Sequence, residues 1–140
     1  MESNILGILA PLLDFVLYFG TALLLLLLFC SIYAVSTPYP EMQLIRQGQV
    51  APVLSYAGAV LGFVLPLSSV IVHSVSLLDM WIWAFIALIV QLAVFQAFRF
   101  FFSDLMRQIP EDRVAAGATL GLFHFAVGLI NAASMSYGGN

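Results

Sequence analysis

Lysine is missing altogether, and four arginines stand against seven acids for a formal charge of -3. A chain this poor in cations presents no basic surface, which excludes nucleic-acid binding. Cys30 is the one cysteine, so an internal disulfide and a thiolate metal cluster are excluded and Cys30 reads as a small apolar filler. Charged residues make up only 8% of the chain while 63% of it is hydrophobic, with a mean hydropathy of +1.09. Soluble domains hold about 25% charged and about 45–50% apolar residues, so this chain belongs in a membrane. Basic residues are also absent before the first apolar stretch, where MESNILGILAPLLD carries Glu2 and Asp14. A cleavable signal peptide is therefore not expected.

What is present instead is four apolar runs, at 15–35, 51–72, 80–101 and 114–135, each close to the ~20 residues that a helix needs to cross the hydrocarbon core. The segments between them, STPYPEMQLIRQGQV, HSVSLLD and FSDLMRQIPEDR, are too short to fold alone. One membrane domain over 1–140 is expected. Arg46, Arg99, Arg107 and Arg113 all fall in or beside the first and third connections, and cytoplasmic loops carry the arginine excess. Loops of about 36–50 and 102–113 should then be cytoplasmic and both termini periplasmic, with Asp14 and Asp79 at the outer ends of the first and third spans. Trp81 and Trp83 suit the outer interface of the third span. Pro38-Tyr39-Pro40 should end the first helix. Glu41 to Gln49 reads as a short interfacial helix with Met42, Leu44 and Ile45 toward lipid. Pro110, Glu111 and Asp112 should form the first turn of the fourth.

An internal repeat is visible: PLLDFVLYFG in the first run resembles SLLDMWIWAF in the third. The second and fourth compare best at an offset near 63, which pairs Gly58 with Gly121 and Ser68 with Asn131. The expected fold is an all-α membrane protein with four transmembrane helices, built from two tandem helical hairpins of the same orientation. Repeat 1 covers about 12–74 and repeat 2 about 77–137, related by an axis along the membrane normal.

Small and polar residues then single out two helices. Gly117, Gly121, His124, Gly128, Asn131 and Met135 share a face of the fourth; Ser55, Gly58, Gly62, Ser69 and His73 share one of the second, with Pro66 beside it. These faces suit close packing, which makes the second and fourth helices the inner pair. The first helix, with an unbroken Leu23 to Leu28, should meet lipid. GxxxG at Gly58–Gly62 and Gly117–Gly121 fits packing within the monomer ahead of self-association. A rise of about 1.5 Å per residue puts Gln91 and His124 near the midplane and Pro66, Ser68, Ser69 and Asn131 in the outer third. These layers read first as interhelical hydrogen bonding, with Ser68, Ser69 or Asn131 serving backbone groups freed by Pro66. Their second reading is a polar path across the membrane.

No catalytic or cofactor-binding residue is identified, and no cluster has metal-ligand spacing. His73 and His124 belong to opposite halves of the bilayer. A cytoplasmic partner surface is expected from Glu41, Arg46, Arg107, Glu111 and Arg113.

The run PEMQLIRQGQVAPVLSYAGAVLGFVLPLSS, then VHSVS, then FAVGLINAASM in the fourth helix, resembles the YjfL-like small inner membrane proteins of bacteria, the domain-of-unknown-function family 350. The resemblance covers nearly the whole chain, and its most specific pieces are Gly58 to Ser69 and Asn131-Ala132-Ala133. It implies a bacterial inner-membrane location. It also implies a setting near envelope-stress systems, with genes neighbouring those of membrane-remodelling proteins and of ligases related to glutathionylspermidine synthase, but no reaction. The expected function is thus a non-enzymatic, self-assembling or scaffolding membrane component, with a peripheral membrane-remodelling protein as partner at the cytoplasmic loops. The alternative is an oligomeric channel or small-solute transporter.

Overall fold

The computed structural model describes residues 1–138. Regular structure among them is wholly helical: α1 (Glu2–Ser36), α2 (Glu41–Arg46), α3 (Val50–His73), α4 (Leu77–Phe101), α5 (Ser103–Gln108), a 3-10 turn (Ile109–Glu111) and α6 (Val114–Gly138). Four of these, α1, α3, α4 and α6, are long and apolar enough to cross a membrane.

Helix α1 starts thirteen residues before the expected first span. Only Gly7 and Pro11 interrupt the run from Ile5 to Leu13, and the carbonyl that Pro11 leaves unbonded, that of Gly7, lies on an exposed stretch of the helix. The other half of α1 packs inward. Ala22, Leu25, Phe29 and Tyr33, spaced by three and four residues, are buried, and the Phe29 ring stacks on Phe63 of α3 with centroids 4.5 Å apart. The helix expected to meet lipid is exposed over most of its length and also carries one packed stripe. Its uniform leucine run carries no periodic signal, and the contact is made by the aromatics that follow.

Helices α3 and α6 form the most extensive contact in the fold. Gly58 lies against Gly121, and Ser69 Oγ donates to the Ala132 carbonyl at 3.2 Å. Both pairs are 63 residues apart, and so constant a separation along the contact means that the two helices run parallel and in register. Helix α4 packs against both, and α1 lies against α3 and α4.

The connections place their polar groups by capping. Ser76 Oγ accepts from Asp79 N at 3.1 Å, while Asp79 Oδ2 accepts from Val75 N at 3.1 Å, fixing the start of α4. Pro110 and Glu111 do not open α6 as expected. They lie in the 3-10 turn, Asp112 follows at a positive φ of 60°, and its Oδ1 accepts from Ala51 N at 2.8 Å. The acid thus caps α3, not its own helix, and ties the two connections at the arginine-bearing end together. Met106 and Ile109, buried and three residues apart, anchor α5 and this turn.

Candidate functional site

Pro66 is buried within α3. It has no N–H to give to the Gly62 carbonyl one turn back, and that carbonyl accepts instead from Gln91 Nε2 of α4 at 3.0 Å. The same amide nitrogen reaches the His124 carbonyl of α6 at 3.3 Å. One α4 side chain thus joins the two inner helices at the point where the proline opens the backbone. Neither of the serines expected to serve this role does so. Ser68 is exposed and donates to its own Val64 carbonyl at 2.8 Å, while Ser69 donates to Ala132. Asn131 Nδ2 is buried without a hydrogen-bond partner.

The orientation of Gln91 fixes that of His124. Because Nε2 of Gln91 donates to Gly62, Oε1 faces Nδ1 of His124 at 2.6 Å, so Nδ1 carries the proton. His124 Nε2 is then an acceptor, and the Tyr33 hydroxyl, 3.3 Å away, donates to it. The phenol also packs edge-on against the imidazole, with ring centroids 5.4 Å apart. Gln91, His124 and Tyr33 are fully buried, and each makes at least one hydrogen bond within the group. Sequence reasoning paired Gln91 with His124 in depth but missed Tyr33. The signal available was its position four residues after Phe29, on the one buried stripe of α1.

Glycine supplies the closeness. A Cβ at Gly58 would fall on the backbone of Gly121, one at Gly117 on Ala51, one at Gly62 on the His124 carbonyl, and one at Gly128 on Gly62. Gly121 itself faces the Leu54 carbonyl. These positions line the seam that brings Gln91 and His124 within reach.

At the opposite end from the arginines, Ser69, Val70, His73, Ser74, Asp79, Trp83 and Met135 enclose a cavity of about 40 Å³. His73 Nδ1 donates to the Ser69 carbonyl at 2.8 Å.

At the arginine-bearing end, Arg46, Arg107, Glu111 and Arg113 are exposed. Glu41 is not; only 2% of it is accessible, which removes it from the surface expected to meet a partner. The α2 turn that carries it folds against α3, turning the carboxylate inward. Thr37 and Ser55 lie beside it, yet their protons are directed at backbone carbonyls: Thr37 Oγ1 to those of Ala34 (2.8 Å) and Tyr39 (3.2 Å), Ser55 Oγ to that of Pro52 (3.0 Å). Both Glu41 oxygens and the buried Tyr39 hydroxyl are left without a hydrogen bond. Burial pushes the Glu41 carboxyl up to about 8, against the weaker opposing effect of the Thr37 and Ser55 hydroxyls. Burial likewise raises the Tyr39 phenol, with the Glu41 charge adding to the effect.

Four helices of membrane-crossing length, closed on a glycine seam and a shared buried polar group, define a multi-pass α-helical membrane protein. The chain belongs to the family described as Domain of Unknown Function (DUF350), which matches residues 7–135. It is similar to the inner membrane protein YjfL of Escherichia coli strain K12, with 38% identity over 130 residues that cover 93% of this chain and 98% of that protein. YjfL of Escherichia coli O157:H7 matches at the same identity and coverage. No solved structure matches.

Proposed function

We propose that this protein is a bacterial inner-membrane component without enzymatic activity, which assembles with itself or with a peripheral membrane-remodelling protein and serves membrane maintenance under envelope stress. The observation that carries this reading is the closed polar layer. Gln91, His124 and Tyr33 spend their hydrogen bonds on one another and on helix backbones, while glycine contacts bring α3 and α6 together around them. Polar groups used in this way hold helices together; a conducting path would turn them toward a passage. The inner-membrane location rests on the relative named YjfL, and the stress role on the family resemblance.

The parallel, in-register packing of α3 and α6 supports two tandem hairpins of the same orientation, arising by duplication. The arginines support an orientation with loops 36–50 and 102–113 cytoplasmic and both termini periplasmic. A partner would meet the exposed Arg46, Arg107, Glu111 and Arg113. Replacing all four by alanine is expected to abolish co-purification of a peripheral protein from membranes solubilised in mild detergent. A partner that stays bound to this variant would show that the surface lies elsewhere.

The second reading, an oligomeric channel or small-solute transporter, is favoured by the unpartnered amide nitrogen of Asn131. It needs several protomers, because the polar side chains at the centre of one protomer are already engaged with each other.

A further inference from the structure

The cavity at the end opposite the arginines lies outside the Gln91–His124–Tyr33 group, and its walls share one chemical character. His73 Nδ1 faces the Ser69 carbonyl at 2.8 Å. A carbonyl only accepts, so Nδ1 carries the proton and, in the neutral ring, Nε2 keeps its lone pair. Asp79 Oδ2 accepts from Val75 N at 3.1 Å, which holds the carboxylate at the wall with a second oxygen to offer. Ser74 Oγ is buried without a hydrogen-bond partner. Trp83 and Met135 complete the lining with an indole and a thioether, and no arginine is part of it. An anion would meet the Asp79 charge here and no fixed cation to balance it. A small cation meets a carboxylate, two further lone pairs and an aromatic ring.

Size narrows the choice. The cavity measures about 40 Å³, room for a group little larger than one water, whose share of the liquid is about 30 Å³. A primary ammonium is of that size and carries three N–H donors, whereas a quaternary ammonium adds three methyl groups and has no N–H. A metal ion is disfavoured, since no group of three His, Cys, Asp or Glu that could hold one exists among the described residues.

We propose that this cavity binds a primary ammonium group, with Asp79 as counter-charge, Ser74 Oγ and His73 Nε2 as further acceptors, and Trp83 as a cation–π wall. Small soluble amines and the ethanolamine headgroup of a phospholipid carry the same group. His73 and Trp83 are exposed, which opens the cavity to either source.

The test is the melting temperature of the purified full-length protein at pH 8, in ethylammonium chloride against tetramethylammonium and sodium chloride of equal ionic strength. A parallel arm compares nanodiscs of phosphatidylethanolamine with nanodiscs of phosphatidylcholine, each mixed with the same share of phosphatidylglycerol. The expected result is a saturable rise with ethylammonium alone, with phosphatidylethanolamine alone, or with both, and the arm that responds names the source. Asp79→Asn keeps an oxygen for Val75 N but removes the charge, and should weaken the response about tenfold or more. Trp83→Leu should weaken it several-fold, and it serves if Asp79→Asn does not fold. Equal melting in all three salts and in both lipids would overturn the site, as would a response that tetramethylammonium reproduces or that survives undiminished in both variants.

Discussion

Glu41 stands where burial disfavours the ionised carboxylate, and this makes the stability of the folded state depend on pH. Its carboxyl rises from an ordinary value near 4.5 to about 8 through burial. The folded state therefore holds a proton that the unfolded chain has released between these limits. The associated stabilisation is intact below about 4.5 and is lost as pH rises through about 8, an effect on the order of a few kcal/mol. The melting temperature measured from pH 5 to 9 should fall accordingly, and Glu41→Gln should flatten the profile. Gln91 gives a second residue-scale prediction. If its main duty is to serve the carbonyl freed by Pro66, Gln91→Leu should destabilise by roughly 0.6–2 kcal/mol. That cost should shrink in a Pro66→Ala background, where residue 66 regains its own donor; an equal cost in both backgrounds would refute the pairing. The depth of Gln91 and His124 was readable from their distance along each span. The identity of the proline's partner was not, because an α3 carbonyl and an α4 side chain 29 residues apart meet only once the helices are packed. The burial of Glu41 was hidden for a related reason: a charged residue that opens a short interfacial helix after Pro38-Tyr39-Pro40 reads as part of the cytoplasmic surface until α2 is seen to fold back on α3.

Among the elements, the α3–α6 seam governs the rest. Gly58, Gly117 and Gly128 have the backbone of the facing helix where a side chain would go, so alanine at any of them must push α3 and α6 apart and strain the Gln91 bridge. Gly7 and Gly20 have open space at the same point. Gly58→Ala and Gly117→Ala are expected to lower thermal stability in detergent by at least about 1–3 kcal/mol, as overpacking does, while Gly20→Ala should be neutral or slightly stabilising. The small-residue spacing pointed to this seam, since glycine every fourth residue on both helices suits close packing of one helix on another, and the facing backbones make the packing internal. The packed face of α1 was not disclosed, because Leu23 to Leu28 looks alike from every side and only Phe29 and Tyr33 break the uniformity. The Asp112 cap is not legible in the sequence, because an acid after Pro110 has a nearer helix to serve and the positive φ of Asp112 arises only in the folded chain.

On the scale of the molecule, the composition foretold four crossings, and each of the four runs lies within a helix of membrane-crossing length. Helix α1 at 35 residues extends about 52 Å, against a hydrocarbon core of about 30 Å. Its first turns, apolar yet exposed, must tilt within the bilayer or project beyond it. In the proposed function the buried polar group of Gln91, His124 and Tyr33 is cement, closed on itself and backed by glycine contacts. Reconstitution into liposomes with imposed pH and potassium gradients, read with pH- and potential-sensitive dyes, tests it most directly. The wild-type protein should give fluxes equal to those of empty liposomes, and His124→Ala and Gln91→Leu should leave them unchanged. A flux above that background which disappears in His124→Ala would contradict the account and make the polar layer a conducting path.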